Sequence, residues 1–250
     1  MNAIHNWNAW IGTDEAGKGD YFGPLVVAAV YVDAECRETF SDFGVTDGKK
    51  LSERRVRSIA ELIRYHYEQH IVVVEKMPAA YNSLYANLRR RGQNLNHLLA
   101  SLHAEAIHTL AARVDAKHVL VDRFSKNDLI TQQLRQRVNR EPHLQRATSS
   151  PPQRVFSDQT PLGIEIIQVP KAERDIAVAA ASIIARDTFL SGMEMLSEKY
   201  KIRLPRGAYQ VVEAGREFVT EHGSEALGDV AKLHFSLTDV VCALKTADLF

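Results

Sequence analysis

The sequence predicts an α/β fold, a mixed sheet flanked by helices, with a helical C-terminal portion. Three observations carry this. Short apolar runs rich in β-branched residues recur along the chain, LVVAAVYV at Leu25–Val32 being the clearest. The early runs are joined by short turns, which suggests antiparallel pairing. The later runs alternate with helical patterns, which suggests parallel crossovers.

The elements follow in order. Ala9–Glu15 reads as a strand entering a glycine-rich turn, and Leu25–Val32 as the next strand. Gly44–Lys50 is a loop, after which Ser52 is a good N-cap for a helix through about Tyr67. HIVVVEK at His70–Lys76 is a third strand. Asn94–Val114 places Leu95, Leu98, Leu99, Leu102, Ala106, Ile107 and Leu110 at helical spacing. HVLVD at His118–Asp122 is a short buried strand ending on an acid, and Asp128–Val138 reads as helix. Asn139–Pro161, rich in Pro, Ser, Gln and Arg, reads as a mobile loop. Ile164–Val169 is a strand and Ala172–Tyr200 a long helix with an alanine-rich start. Leu204–Gly207 breaks that helix, and the tail reads as further helices.

With 250 residues, the chain suits a single domain over 1–250, with about 204–250 as its helical portion. Its 31 basic and 31 acidic side chains balance, so no global basic footprint announces nucleic acid. Basic residues do cluster locally: Lys49, Lys50, Arg54, Arg55 and Arg57; Arg89, Arg90 and Arg91; Arg135, Arg137 and Arg140. A solvated helix face explains any one such cluster. No uninterrupted apolar run approaches the roughly 20 residues of a membrane span, and the N-terminus has no secretory pattern. Cys36 and Cys242 lack metal-ligand spacing and read as thiols of a reducing cytoplasm.

The chemistry concentrates in GTDEAGKGDYFGP, Gly12–Pro24. Gly12, Gly17 and Lys18 mimic the start of a phosphate-binding P-loop. The mimicry fails because Gly19 stands where that motif needs Ser or Thr. Asp14 and Glu15 would also repel phosphates, and the next element is a strand rather than a helix. The two acids make sense if a cation intervenes. Side chains of adjacent strand residues start on opposite faces, so turn chemistry must bring both to one metal. Gly17 and Gly19 permit such a turn and the close approach of a nucleic-acid backbone. Asp122 ends a buried strand, where open α/β sheets place ligands, and Glu173 opens the long helix. Each acid alone has an ordinary explanation: Glu173 a helix dipole, Asp122 a cap, Asp14 a turn. Together they favour a site for a hard divalent cation.

At these residues the chain resembles a family. DEAGKGDYFGP is similar to the first motif of the type 2 ribonucleases H, its DYFGP tail closer to ribonuclease HIII than to HII. Further matches follow in order: DGKKLSE at Asp47–Glu53, YNSLY and NLNHLLASLHAEAI within Tyr81–Ile107, and VLVDRF at Val119–Phe124. KAERDIAVAAASIIAR at Lys171–Arg186 comes next, then LPRGA and KLHF within Leu204–Phe235. The resemblance implies an RNase H-like fold and an endoribonuclease that cuts the RNA strand of RNA–DNA hybrids, leaving 5′-phosphate and 3′-hydroxyl ends. It implies two Mg²⁺ or Mn²⁺ ions, about 4 Å apart. Asp14, Glu15, Asp122 and Glu173 carry over as the carboxylates that bind metal and support catalysis. A glutamate in KAE is the HIII pattern. Two features depart from it. Lys18 in the turn is typical of HII, and the first motif begins so early that the usual N-terminal TATA-binding-protein-like domain is expected to be absent.

The same resemblance places Gly17, Lys18 and Gly19 against the RNA ribose, whose 2′-hydroxyl marks RNA. Lys49, Lys50 and Lys171 are expected on phosphates, although a solvated role serves each equally well. Ser182 is a further substrate-contact candidate, with packing as its alternative. His97, His103 and His108 lack zinc-pair spacing and read as helix surface or packing. His234 in KLHF is either near substrate or packed. The expected partner is the hybrid itself, with no membrane and no obligate protein. Three rivals stand beside this reading: an HII-like preference for single embedded ribonucleotides, a P-loop-like nucleotide hydrolase and a non-catalytic hybrid-binding module.

Overall fold

In a computed structural model the described residues are 4–125, 128–140 and 163–243, without the side chains of Lys49 and Arg140. The predicted loop at Asn139–Pro161 lies almost wholly outside them. The sheet is mixed and five-stranded. Its strands are β1 (Trp10–Ala16), β2 (Leu25–Val32), β3 (Ile71–Lys76), β4 (His118–Asp122) and β5 (Glu165–Val169), in the order β3-β2-β1-β4-β5. β1 pairs with β4 in parallel, Thr13 opposite Val121. β4 pairs with β5 in parallel, Asp122 opposite Val169. β2 is buried almost throughout, which is why it reads as a continuous apolar run rather than an alternating one.

The helices are α1 (Ala34–Phe43), α2 (Glu53–Tyr67), α3 (Pro78–Arg90), α4 (Leu95–Ala111), α5 (Leu129–Arg140), α6 (Ile176–Tyr200), α7 (Val212–His222) and α8 (Leu237–Cys242). α2 begins where Ser52 predicts, its side chain accepting from Arg55 N. α4 begins at Asn94, which forms a capping box with His97, so His97 serves the helix end. α1 and α3 were not legible in the sequence. Each buries only two residues, Cys36 and Phe40 in α1, Pro78 and Tyr81 in α3, too thin a stripe for a periodicity argument.

The long helix starts later than its alanine-rich sequence suggests. Ala172–Arg174 forms a separate single 3₁₀ turn, and α6 begins at Ile176 behind Asp175. Asp175 Oδ1 accepts from the backbone N–H groups of Ala177 and Val178 and from Trp10 Nε1, at 3.0–3.2 Å. Glu173 therefore belongs to the turn that precedes the helix, not to its first turn. α6 is the one described helix long and apolar enough to cross a membrane, but 72% of its apolar window is buried inside the protein, which makes it a core helix.

The chain forms two compact units. One comprises Met1–Glu15, Val27–Val74 and Gln93–Asp187. The other comprises Ala16–Val26, Glu75–Gly92 and Thr188–Phe250.

Candidate active site and its relatives

In the first unit, strand alternation sorts the β1 side chains onto two faces. Trp10, Gly12 and Asp14 face the start of α6. Trp10 binds Asp175, and a Cβ at Gly12 would lie 2.2 Å from the Ala177 carbonyl carbon. Only glycine lets helix and strand approach this closely. Asp14 hydrogen-bonds Ser182, one helical turn and more further along α6. Thr13 and Glu15 face α4 instead, and both meet His103.

Burial and then the neighbouring charge of Glu15 push the Asp14 carboxyl up to about 7, with Asp122 adding to the rise. The Ser182 hydroxyl, donating to the carboxylate, pulls it down. Three of the four predicted acids thus act on one another. Glu173 joins them through the backbone: Ala172 N donates to Asp122 Oδ1 at 3.2 Å, holding the KAER turn against the end of β4. No three His, Cys, Asp or Glu side chains among the described residues form a closed ligand cluster. The donor set is all oxygen, and Glu15 and Asp122 raise the cost of ionising Asp14, the condition that a hard divalent cation relieves. The residues present fit such an ion.

A cavity of about 410 Å³ adjoins Glu173. It is lined by Asp47, Lys50, Lys171, Arg174 and neighbouring apolar groups. Lys50 is exposed and lies 3.8 Å from Asp47, and Lys171 is exposed with a left-handed backbone, φ 58°. The loop carrying Lys50 is held by Arg186, which donates to Gly48 O and, at 3.3 Å, to Leu51 O. The Lys49 side chain lies outside the described residues. Elsewhere in the basic clusters, Arg55 donates to Phe43 O, Arg57 faces Asp187, and Arg137 pairs with Glu105.

In the second unit, the glycine turn leads into β2, with no helix N-terminus behind it, unlike a P-loop. Gly17 is buried at φ 83°, and a Cβ there would lie 2.1 Å from Pro24 O. Gly19 is exposed with nothing within 4 Å of its Cβ position. The rest of this turn is stitched to two distant motifs. Gly207 N donates to the Asp20 carboxylate Oδ1, Gly207 O accepts from Tyr21 N, and Phe22 bridges Ala231. Lys232, fully buried, donates through Nζ to the carbonyls of Asp20, Phe22 and Gly23 at 2.6–3.2 Å. Asn82 of YNSLY holds the same KLHF segment, donating to Gly228 O and Ala231 O and accepting from Leu233 N. His234 is packed: its Nδ1 meets Tyr81 Oη at 3.1 Å.

Sequence reasoning missed Asp175, Arg186 and Lys232, and placed His103 among surface or packing residues. His103 is fully buried and touches Glu15. An apolar row interrupted by one histidine was the available signal for it. For Lys232 there was none beyond its place in KLHF.

Residues 11–238 match the family model described as ribonuclease HII. The chain is similar to ribonuclease HIII of Protochlamydia amoebophila, 35% identical over 92% of this chain and 67% of that protein. It is similar to ribonuclease HIII of Chlamydia pneumoniae, 35% identical over 94% of this chain and 70% of that protein. Among solved structures it is similar to Bst-RNase HIII in complex with Mn²⁺, with a TM-score of 0.73 and 32% identity, covering 93% of this chain and 68% of that one. The family match takes in all four acids, the glycine turn and the KLHF segment, and with relatives at this identity and coverage it means that the chain belongs to the ribonuclease HII family and is a ribonuclease H of the HIII-like kind.

Proposed function

We propose that the protein is an endoribonuclease that hydrolyses the RNA strand of RNA–DNA hybrids, leaving 5′-phosphate and 3′-hydroxyl ends. Asp14, Glu15, Asp122 and Glu173 would hold two Mg²⁺ or Mn²⁺ ions. The observation that carries this reading is the Asp14 carboxyl, held near the end of β1 against the charges of Glu15 and Asp122, while Glu173 lines a cavity together with Lys50, Lys171 and Arg174. Bound divalent cations supply Lewis acidity, generating a nucleophile from water at neutral pH and offsetting charge on the phosphate.

The side chains of this chain do the rest. Ser182 and His103 hold Asp14 and Glu15 from opposite faces of β1. The basic groups of the cavity take a phosphate without reading sequence. The glycine turn, held by Lys232, offers backbone groups to a ribose 2′-hydroxyl. One such contact is worth about 1–3 kcal/mol, too little alone to select a single ribonucleotide. The protein therefore prefers runs of ribonucleotides. The exposed Gly19, with open space around it, favours the second reading, cleavage at a lone ribonucleotide.

One experiment tests both. Matched duplexes with one, four or many ribonucleotides are cut by wild type and by Asp14→Asn in Mg²⁺ or Mn²⁺. Asp14→Asn removes an anionic ligand and little volume. It is expected to fold and to lose on the order of a hundredfold or more in cleavage. Near-wild-type turnover by Asp14→Asn at saturating metal overturns the site. Wild type should cut the long run efficiently and the single ribonucleotide weakly. Equal rates on the two overturn the preference while leaving the nuclease in place.

A further inference from the structure

We infer that His103 is a positioning residue for Glu15, a role that rests on the reading of Glu15 as a metal ligand. His103 lies on the buried row of α4 between Leu99 and Ile107, where every neighbour in the row is apolar. A fully buried imidazole must satisfy both ring nitrogens or pay for desolvating them. Both partners lie on one face of one strand: Nδ1 is 2.9 Å from Thr13 Oγ1, and Nε2 is 3.3 Å from Glu15 Oε2. Thr13 and Glu15 are two residues apart on β1, which is what puts them on the same face.

The chemistry of the partners fixes which nitrogen carries hydrogen. An ionised carboxylate only accepts, so Nε2 must donate to Glu15. Thr13 can either donate to a bare Nδ1 or accept from a protonated one. Nε2–H therefore points at Glu15 whether the ring is neutral or charged. Phe124, two residues beyond Asp122, stacks on the imidazole with ring centroids 5.3 Å apart and planes 19° apart, fixing the ring plane. The ring is thus held on three sides by β1 and by the segment that follows β4, the two strands that carry Asp14, Glu15 and Asp122. A carboxylate beside a divalent cation gains from a hydrogen bond on one oxygen, which fixes its rotamer before the ion arrives; losing such a support commonly costs 10–100-fold in metal affinity.

Two amides of the same polarity separate positioning from packing. Gln at this position places its amide near the site of Nε2 and reaches Glu15. Asn places its amide near Nδ1 and reaches Thr13 instead. Mn²⁺ binding by titration calorimetry is measured for wild type, His103→Gln, His103→Asn, Thr13→Val and Glu15→Gln, without substrate, alongside kcat and KM on a continuous hybrid. His103→Gln is expected to stay within about threefold of wild type, while His103→Asn weakens Mn²⁺ binding about tenfold. In the kinetics, His103→Asn should lower kcat at limiting metal with KM for the hybrid little changed. Equal Mn²⁺ affinity in the Gln and Asn variants overturns the proposal. Should neither fold, Thr13→Val frees the ring while leaving it in place, and unchanged Mn²⁺ affinity there overturns it too. Glu15→Gln separates the two layers. If it binds Mn²⁺ as wild type does, the ligand reading fails and takes the proposal with it. If it weakens binding while His103→Asn does not, the proposal alone fails.

Discussion

At the scale of single residues, His103 and His234 show the same side chain put to different uses by its surroundings. His103 faces an acceptor; His234 faces the Tyr81 hydroxyl and the rings of Tyr85 and Phe235, at 4.8 and 4.4 Å between centroids. Burial first, and then the charge of nearby Lys232, push the His234 imidazole down to about 4. In the unfolded chain the same ring takes a proton near 6.5. Between those values the unfolded state binds the extra proton, so this residue's contribution to stability is lost as pH falls from about 6.5 towards 4. His234→Asn keeps a polar group near the position of Nδ1 for Tyr81 and removes the titration. The stability gap between wild type and His234→Asn, read from urea unfolding at pH 7, 6 and 5, should shrink or reverse as pH falls. A gap that stays constant across that range would show that His234 is protonated alike in both states.

At the scale of elements, the contact of β1 with α6 decides where half the site sits. Gly12 has its virtual Cβ 2.2 Å from Ala177 C and 2.3 Å from Val178 N, both backbone atoms that cannot swing away. Gly12→Ala must therefore push the start of α6, with its Asp175 cap, off the strand. Overpacking of this kind costs about 1–3 kcal/mol, and a backbone clash belongs at the upper end. Gly19→Ala meets nothing within 4 Å and should change stability by no more than about 0.5 kcal/mol. Denaturant midpoints that rank the two the other way would sink this account of the contact. Much of this layer was legible in the sequence, because caps and periodicity are local physics: the Ser52 cap announced α2, the helical spacing of Leu95 to Leu110 announced α4, and Asp122 closed β4 where the apolar run ended. What was not legible depends on distance along the chain. His103 and Glu15 are 88 residues apart, and Lys232 is more than 200 residues from the carbonyls it holds. No local pattern reports such pairs; only the ordered set of motifs hinted that DYFGP, LPRGA and KLHF serve one structure.

At the scale of the whole molecule, the charge balance of 31 against 31 leaves no net field to draw a polyanion in. Any affinity for a hybrid must then come from local contacts, and salt dependence counts them. Each phosphate neutralised releases condensed counterions, so log K falls with log salt by about 0.7–0.9 per contact. Lys171 is the sharpest probe, because it is exposed, lines the cavity beside Glu173 and lies outside the acid set. Lys171→Ala should weaken hybrid binding at low salt and reduce the slope of log K against log salt by about one. Arg137, already paired with Glu105 at 3.2 Å, supplies the control, and Arg137→Ala should leave the slope as it is. Binding is measured with a catalytically silenced background, Asp14→Asn in every variant, so that cleavage does not distort the isotherms. A Lys171→Ala protein that loses affinity with an unchanged slope would mean that Lys171 shapes the cavity wall without touching a phosphate. A slope near zero for the parent would remove the phosphate-tracking surface altogether, because an uncharged contact set releases no counterions.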